Sequence, residues 1–236
     1  MKDRFVTAII VAAGNSTRMG GKISKQFIEI MGKTVIEHTL FAFEDCDLID
    51  EIVVVSREQD MEKIKSVAKK NRFNKVKNVV VGGKTRGESV ASGIKAADEK
   101  TSFFAIHDGA RPLILKEDIE NVVKKAFEVK SAALGVAVKD TIKVADENNL
   151  VVSTPDRSSL RAIQTPQVFE KTLYLSALEK AEREKKDFTD DCQLIENAGG
   201  RVYVVSGSES NIKITTPYDL TAAEGILKCR QKGESI

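Results

Sequence analysis

The chain has 236 residues, 42% of them hydrophobic and 31% charged, which suits one globular domain over residues 1–236 with a core of its own. Lys plus Arg (37) nearly balances Asp plus Glu (35), so no overall field draws the protein to nucleic acid or anionic lipid. The first apolar run, Phe5 to Ala13, is shorter than a membrane span and has no cleavable-signal pattern, so a cytoplasmic protein is expected.

Phe5 to Ala12 is continuous and rich in β-branched residues, as a strand buried on both faces should be. Thr34 is placed to cap a helix carrying Ile36, Leu40 and Phe43 on one face. Glu51 to Ser56 is a second strand, followed by a helical stripe of Met61, Ile64, Val67 and Ala68. Lys77 to Val81 is a third strand, leading through a Gly-rich turn to a helix with Val90, Ile94 and Ala97. Ser102 to His107 is the next strand, and Ile119, Val122, Val123, Ala126 and Phe127 mark the clearest helix of the chain. This alternation predicts an α/β fold, Rossmann-like in the broad sense, with a mainly parallel sheet flanked by helices.

The alternation stops between Leu134 and Arg157. Leu134 to Val138, Thr141 to Val144 and Leu150 to Ser153 are strand-like around the turn cluster Asp146–Asn149. They predict a protruding β-hairpin arm over 136–157, too thin to be stable alone and therefore expected at a homodimer interface. A helix near 173–183, a strand near 201–205 and a closing helix near 220–229 follow. All four prolines are expected between elements.

Three cysteines, Cys46, Cys192 and Cys229, have no CxxC spacing, which argues against a disulfide framework or a zinc cluster. The loop Ala12-Ala-Gly-Asn-Ser-Thr-Arg-Met19 leaves the first strand at the edge where α/β folds bind anions. Gly14 permits close backbone approach, while the amides and hydroxyls of Asn15, Ser16 and Thr17 can donate to phosphate. Arg18 and Lys25 add charge. Alone, the same residues describe a tight turn with solvated cations. A dinucleotide G-x-G-x-x-G is absent, and Gly82-Gly-Lys-Thr85 is no Walker loop because Asn78 stands where the leading glycine belongs. Asp45-Cys-Asp47 ends a helix and is read as a solvated turn.

The first loop with Lys25-Gln-Phe27 resembles the signature of sugar-phosphate nucleotidyltransferases. Further motifs follow in order: Gly82-Gly-Lys-Thr-Arg86 with Ser89, His107-Asp-Gly-Ala-Arg-Pro112, Val138-Lys-Asp-Thr-Ile-Lys143, Gln164-Thr-Pro-Gln167, Thr189-Asp-Asp191 and Asn211 to Pro217. Together, over residues 5 to 228, they resemble the 2-C-methyl-D-erythritol 4-phosphate cytidylyltransferase family of isoprenoid biosynthesis. Ribitol 5-phosphate cytidylyltransferases share several of these motifs and are the alternative; a catalytically silent nucleotide binder on the same fold is a third reading.

The resemblance implies transfer of a cytidylyl group from CTP to a polyol phosphate, with in-line attack on the α-phosphorus. It assigns Arg18 and Lys25 to catalysis, and Ala12, Ala13, Gly14, Asn15, Ser16, Thr17, Gly83, Lys84, Ser89 and Gly109 to the nucleotide. Lys84 departs from the family pattern, where an acidic residue is commoner. Arg111, Thr141, Arg157, Thr165 and Lys213 are implied for the second substrate, with Arg157 and Thr141 serving the partner subunit's site. Asp108, a hard carboxylate ending a strand, is implied as the magnesium ligand. His107 is expected to be structural, since a phosphate monoester with a second pKa near ~6 needs no general base at neutral pH. Cys192 is expected in the core.

Overall fold

The computed structural model describes residues 4–14 and 24–233. Strand β1 (Phe5–Val11) leads through a 3-10 turn, Lys25–Phe27, to the short pair β2 (Glu29–Ile30) and β3 (Lys33–Thr34). Helix α1 (Val35–Glu44) starts in a capping box, in which Thr34 Oγ1 accepts from the Glu37 amide and Glu37 accepts from the Thr34 amide. Then come β4 (Glu51–Ser56), α2 (Met61–Asn71), β5 (Val76–Val81), α3 (Arg86–Lys95), β6 (Thr101–Asp108), α4 (Lys116–Val129) and β7 (Ser131–Ala137). The hairpin β8 (Val144–Ala145) and β9 (Val151–Ser153) precedes β10 (Arg161–Glu170), α5 (Lys171–Glu184), α6 (Asp191–Asn197), β11 (Tyr203–Ser206) and α7 (Pro217–Gln231).

One seven-stranded sheet, in the order β11-β7-β10-β6-β1-β4-β5, forms the centre. All neighbours are parallel except β10, which runs antiparallel to both β6 and β7. The expected α/β architecture is therefore present, with helices on both faces. Ile36, Leu40 and Phe43 of α1 and Ile119, Val122 and Val123 of α4 cover one face with the inward residues of β1 and β4. Val90 of α3, Tyr174 and Ala177 of α5 and Ile195 of α6 cover the other. Cys192 lies in this second core, as expected, whereas Asp45 and Asp47 are solvent-exposed around the buried Cys46.

Three local readings change. Val136 and Ala137, placed at the start of the arm, continue Leu134 and Gly135 as the end of β7, which lies between β10 and β11 and is buried up to Gly135. The separate hairpin is confined to β8 and β9. Second, β10 lacks a strand signal because Arg161, Gln164, Thr165 and Gln167 are polar, and Pro166 lies inside it, so not every proline falls between elements. A register shift between Ile163 and Gln167 accommodates the proline where ladder pairing is interrupted. Third, α6 is too short for a helical stripe to be read; Asp190 caps it by accepting from the Gln193 amide.

Candidate active site

Parallel strands β1 and β6 are adjacent, with Val11 paired to Asp108, so their carboxyl ends and the loops after them open on one edge. A cleft of about 330 Å³ lies there. Its walls carry Lys25, Lys84, Arg86 and Lys213 around one carboxylate, Asp108, with Gly14, Gly83 and Ser89. Four cations facing one carboxylate make a site for a polyanion.

Asp108 is the electrostatic hub. Lys213 Nζ lies 2.8 Å from Oδ2, Arg111 Nε 3.6 Å from Oδ2, and Arg86 Nε 3.7 Å from Oδ1. Burial by itself would raise the Asp108 pKa; Lys213, then Arg86 and Arg111, outweigh it and pull it down to about 2. Arg86 is gripped from behind by Asp191, whose Oδ2 lies 2.6 Å from Nη1. The Tyr174 hydroxyl donates to the other Asp191 oxygen at 2.6 Å. Although burial opposes its charge, Asp191 and Asp108 raise the Arg86 pKa, so the guanidinium stays ionised.

Lys25 is held at the cleft by donating from Nζ to the Ile214 carbonyl at 2.9 Å. That bond joins the turn Lys25–Phe27 to the segment carrying Lys213. Arg111 Nη1 donates to the Asn211 carbonyl at 2.7 Å, a second tie to the same segment. Thr165 is buried behind the cleft, against His107 and the Asp108 amide. Burial pushes the His107 pKa down to about 3, and its ring makes two hydrogen bonds, as a structural histidine should.

The glycine loop is shaped for close approach. A Cβ at Gly82 would stand 2.6 Å from Ala13 Cβ, and one at Gly83 would stand 2.2 Å from Glu88 Cβ. Thr85 and Glu88 form a capping box at the start of α3, and the Lys84 amide donates to Glu88 at 2.5 Å. Ser89 Oγ accepts from the Gly83 amide at 3.2 Å and donates to the Thr85 carbonyl at 2.9 Å. One lone pair of that hydroxyl remains for a ligand donor.

The expected residues fall into three groups. Ala13, Gly14, Lys25, Gly83, Lys84, Ser89, Asp108 and Lys213 line the cleft, with Ala12, Gly109, Arg111 and Thr165 directly behind it. Thr141 and Arg157 are exposed around the hairpin and do not line this cleft; Arg157 donates to the Lys139 carbonyl at 2.7 Å. Asn15, Ser16, Thr17 and Arg18 lie outside the described residues. Three residues were missed as site components: Gln26, Arg86 and Asp191. Each stands inside a motif quoted from the sequence, but only folding brings Asp191 to Arg86.

Among the described residues no group of three or more His, Cys, Asp or Glu side chains is placed to hold a metal. The donor set is one carboxylate among cations. It fits a magnesium ion whose remaining ligands are nucleotide phosphates and water, and not an ion held by protein alone. No helix of the described residues is long and apolar enough to cross a membrane.

Comparison with known proteins agrees with this geometry. Residues 6–229 match the family model for 2-C-methyl-D-erythritol 4-phosphate cytidylyltransferase. The chain is 48% identical over 224 residues to the protein of that name from Caldanaerobacter subterraneus, covering 94% of this chain and 99% of the relative. It is 45% identical to the one from Clostridium acetobutylicum, covering 94% and 96%. The crystal structure of 4-diphosphocytidyl-2C-methyl-D-erythritol synthase from Anaerococcus prevotii superposes with a TM-score of 0.86 at 35% identity, covering 96% of this chain and 100% of that one. With a cationic cleft at the ends of β1 and β6 and likeness along nearly its whole length, this chain belongs to the 2-C-methyl-D-erythritol 4-phosphate cytidylyltransferase family.

Proposed function

We propose that this protein transfers the cytidylyl group of CTP to 2-C-methyl-D-erythritol 4-phosphate, releasing diphosphate. The observation that carries the reading is the cleft in which Lys25, Arg86 and Lys213 surround Asp108 beside the first loop. A phosphate oxygen of the polyol substrate attacks the α-phosphorus of CTP as the bond to the β-phosphate breaks, and the electron pair leaves on diphosphate. Such a step needs positioning and charge stabilisation more than covalent help.

Lys25, together with Arg18 earlier in the sequence, offsets charge on the α-phosphoryl group and the departing diphosphate. Gly83 and Ser89 flank the base, with the free lone pair of Ser89 available to the cytosine amine. Lys84 lines the same cleft, and because its amide is taken by Glu88 it would meet the nucleotide through its carbonyl or its ammonium. Asp108 would hold magnesium, which when bound offsets negative charge on the phosphates. That arrangement requires Lys213 to share or leave its 2.8 Å contact with Asp108, freeing an ammonium for the polyol phosphate. Arg111 and Thr165 brace Asp108 and the Asn211–Lys213 segment from behind.

The arm supports a homodimer. Leu150, Val151 and Val152 are 69%, 55% and 66% exposed, an apolar surface that an isolated chain would leave in water. Arg157 and Thr141, remote from their own cleft wall, would complete the partner's polyol-phosphate site. Both substrates are water-soluble anions, and a cytoplasmic setting suits them.

The test is diphosphate release from CTP and magnesium, run in parallel with 2-C-methyl-D-erythritol 4-phosphate and ribitol 5-phosphate. Release with the first alone is expected. Release only with ribitol 5-phosphate would keep the fold and CTP chemistry and overturn the substrate.

A further inference from the structure

Among the described residues, four buried side-chain atoms find no hydrogen-bond partner in the protein: Ser24 Oγ, Gln26 Oε1, Arg111 Nε and Asn211 Oδ1. Buried polar groups are nearly always paired, so exceptions call for a reason. These four are not scattered. Ser24 and Gln26 flank Lys25, while Arg111 donates to the Asn211 carbonyl two residues before Lys213. Arg111 Nε at least faces Asp108, 3.6 Å away. Of the four residues, Gln26 alone lines the cleft, and its side-chain oxygen faces no donor.

Gln26 is only 2% exposed. It sits at the centre of the 3-10 turn Lys25–Phe27, whose other members are occupied: Lys25 bonds the Ile214 carbonyl, and Phe27 packs on the core. Gly109 makes room for it. A Cβ at Gly109 would lie 3.3 Å from Gln26 Oε1, 3.2 Å from the Val11 carbonyl and 3.2 Å from Ala12 Cβ. The carboxamide therefore sits where β1 and β6 end, next to Asp108. Ala12 stands on this side, whereas Ala13 stands against Gly82 near Ser89. The base-reading groups and Gln26 thus occupy separate parts of the wall.

We propose that Gln26 is a substrate-contacting residue whose carboxamide oxygen accepts a hydrogen bond from a substrate hydroxyl. The proposal rests on the cytidylyl-transfer reading, because it takes its donors from those substrates. Ionised phosphates offer only acceptors, so they cannot satisfy this oxygen; hydroxyls can, and both substrates carry them, on the ribose of CTP and on the polyol chain. An acceptor that no protein donor satisfies is left for the ligand to pair, and that bond adds to affinity when the ligand arrives.

Gln26→Met tests this, since it keeps an unbranched side chain of similar length and removes the acceptor. If the oxygen waits for a ligand, the free variant should melt at or above the wild-type temperature, because a buried polar atom with no hydrogen bond to the protein has been replaced by an apolar one. Its affinity for one substrate should nevertheless fall about tenfold, ~1.4 kcal/mol. Calorimetric titration with CTP, 2′-deoxy-CTP and 3′-deoxy-CTP distinguishes the donors. Loss of discrimination between CTP and one deoxynucleotide assigns the ribose. Unchanged CTP affinity with a tenfold higher KM for the polyol phosphate assigns the polyol. Wild-type affinities and KM values in a folded variant would overturn the proposal. So would a melting temperature several degrees lower with affinities unchanged. If Gln26→Met and Gln26→Leu both fail to fold, Gln26 is structural and the proposal falls. Wild-type turnover is assayed alongside: no diphosphate release by wild type defeats the cytidylyl-transfer reading, whereas wild-type release with an unaffected variant defeats only the role of Gln26.

Discussion

Thr165 Oγ1 lies 3.0 Å from His107 Nδ1, and the same oxygen accepts from the Asp108 amide at 3.1 Å. Because it accepts from the amide, the hydroxyl is free to give its proton to Nδ1, which leaves Nε2–H to donate to the Arg111 carbonyl at 3.3 Å. A neutral imidazole thus links β10, the end of β6 and the turn carrying Arg111. This places His107 in support of Asp108 and leaves it no part in proton transfer.

That linkage has a pH signature. The folded His107 pKa, about 3, lies below the ordinary 6.5, so between those values the unfolded chain binds a proton that the folded chain refuses. Stability is therefore complete above pH 6.5 and declines as pH falls toward 3, by at most ~1.4 kcal/mol per pH unit from one histidine. His38, also lowered by burial, acts in the same direction. Asp108 joins later: its folded pKa of about 2 is below the ordinary 3.8, so its stabilising contribution is present above pH 3.8 and is lost as pH falls through 2. His107→Gln should flatten part of the decline of stability between pH 6.5 and 4, measured by urea unfolding across that range. An unchanged slope would contradict the neutral-imidazole assignment.

Lys25 is expected to matter most after CTP is bound. Lys25→Ala should lower kcat by ~10²–10³-fold, the scale of losing one donor to developing charge, while CTP affinity falls less than about tenfold. Diphosphate release and calorimetric CTP titration measure the two effects. Equal losses in both would make Lys25 a ground-state binding residue.

Mixing two inactive variants tests the shared site. An Arg157→Ala chain combined with a Lys25→Ala chain forms heterodimers in which one of two sites has both residues intact. With random pairing, about a quarter of wild-type activity should return. No recovery, with heterodimers verified by mass spectrometry, would mean that each chain builds its own site.

Gly93 reports on packing beneath the nucleotide loop. Its missing Cβ would stand 2.5 Å from Ile9 Cγ2 and 2.8 Å from Val55 Cγ2, where α3 lies on β1 and β4. Gly93→Ala gains ~1 kcal/mol of helix propensity but incurs ~1–3 kcal/mol of overpacking. Overpacking should win, lowering the melting temperature by a few degrees in calorimetry. A more stable variant would show that α3 can slide outward at little cost.

Local patterning was sufficient for most of the frame. Runs such as Glu51–Ser56 and the stripe Ile119–Ala126 declare themselves because each segment's burial is written into its own periodicity. The capping box of Thr34 and Glu37 is equally local. By contrast, β10 is a central strand whose exposed end, internal proline and buried Gln164, Thr165 and Gln167 hide it from any apolar pattern. These polar residues are buried because distant groups satisfy them: Gln167 accepts from the Asp191 and Cys192 amides, and Thr165 meets His107.

The same division runs through the site. Sequence motifs were enough to nominate Lys25, Asp108, Ser89 and Lys213, and to give the reaction through their resemblance to a family. Tertiary structure alone decided that Lys213, Arg111 and Arg86 converge on one carboxylate, that Asp191 anchors Arg86, and that Gln26 lines the cleft with its buried oxygen unpaired by the protein. The physical reason is range: periodicity and capping act over a few residues, whereas charge compensation and hydrogen-bond satisfaction depend on which chain segments the sheet order brings together.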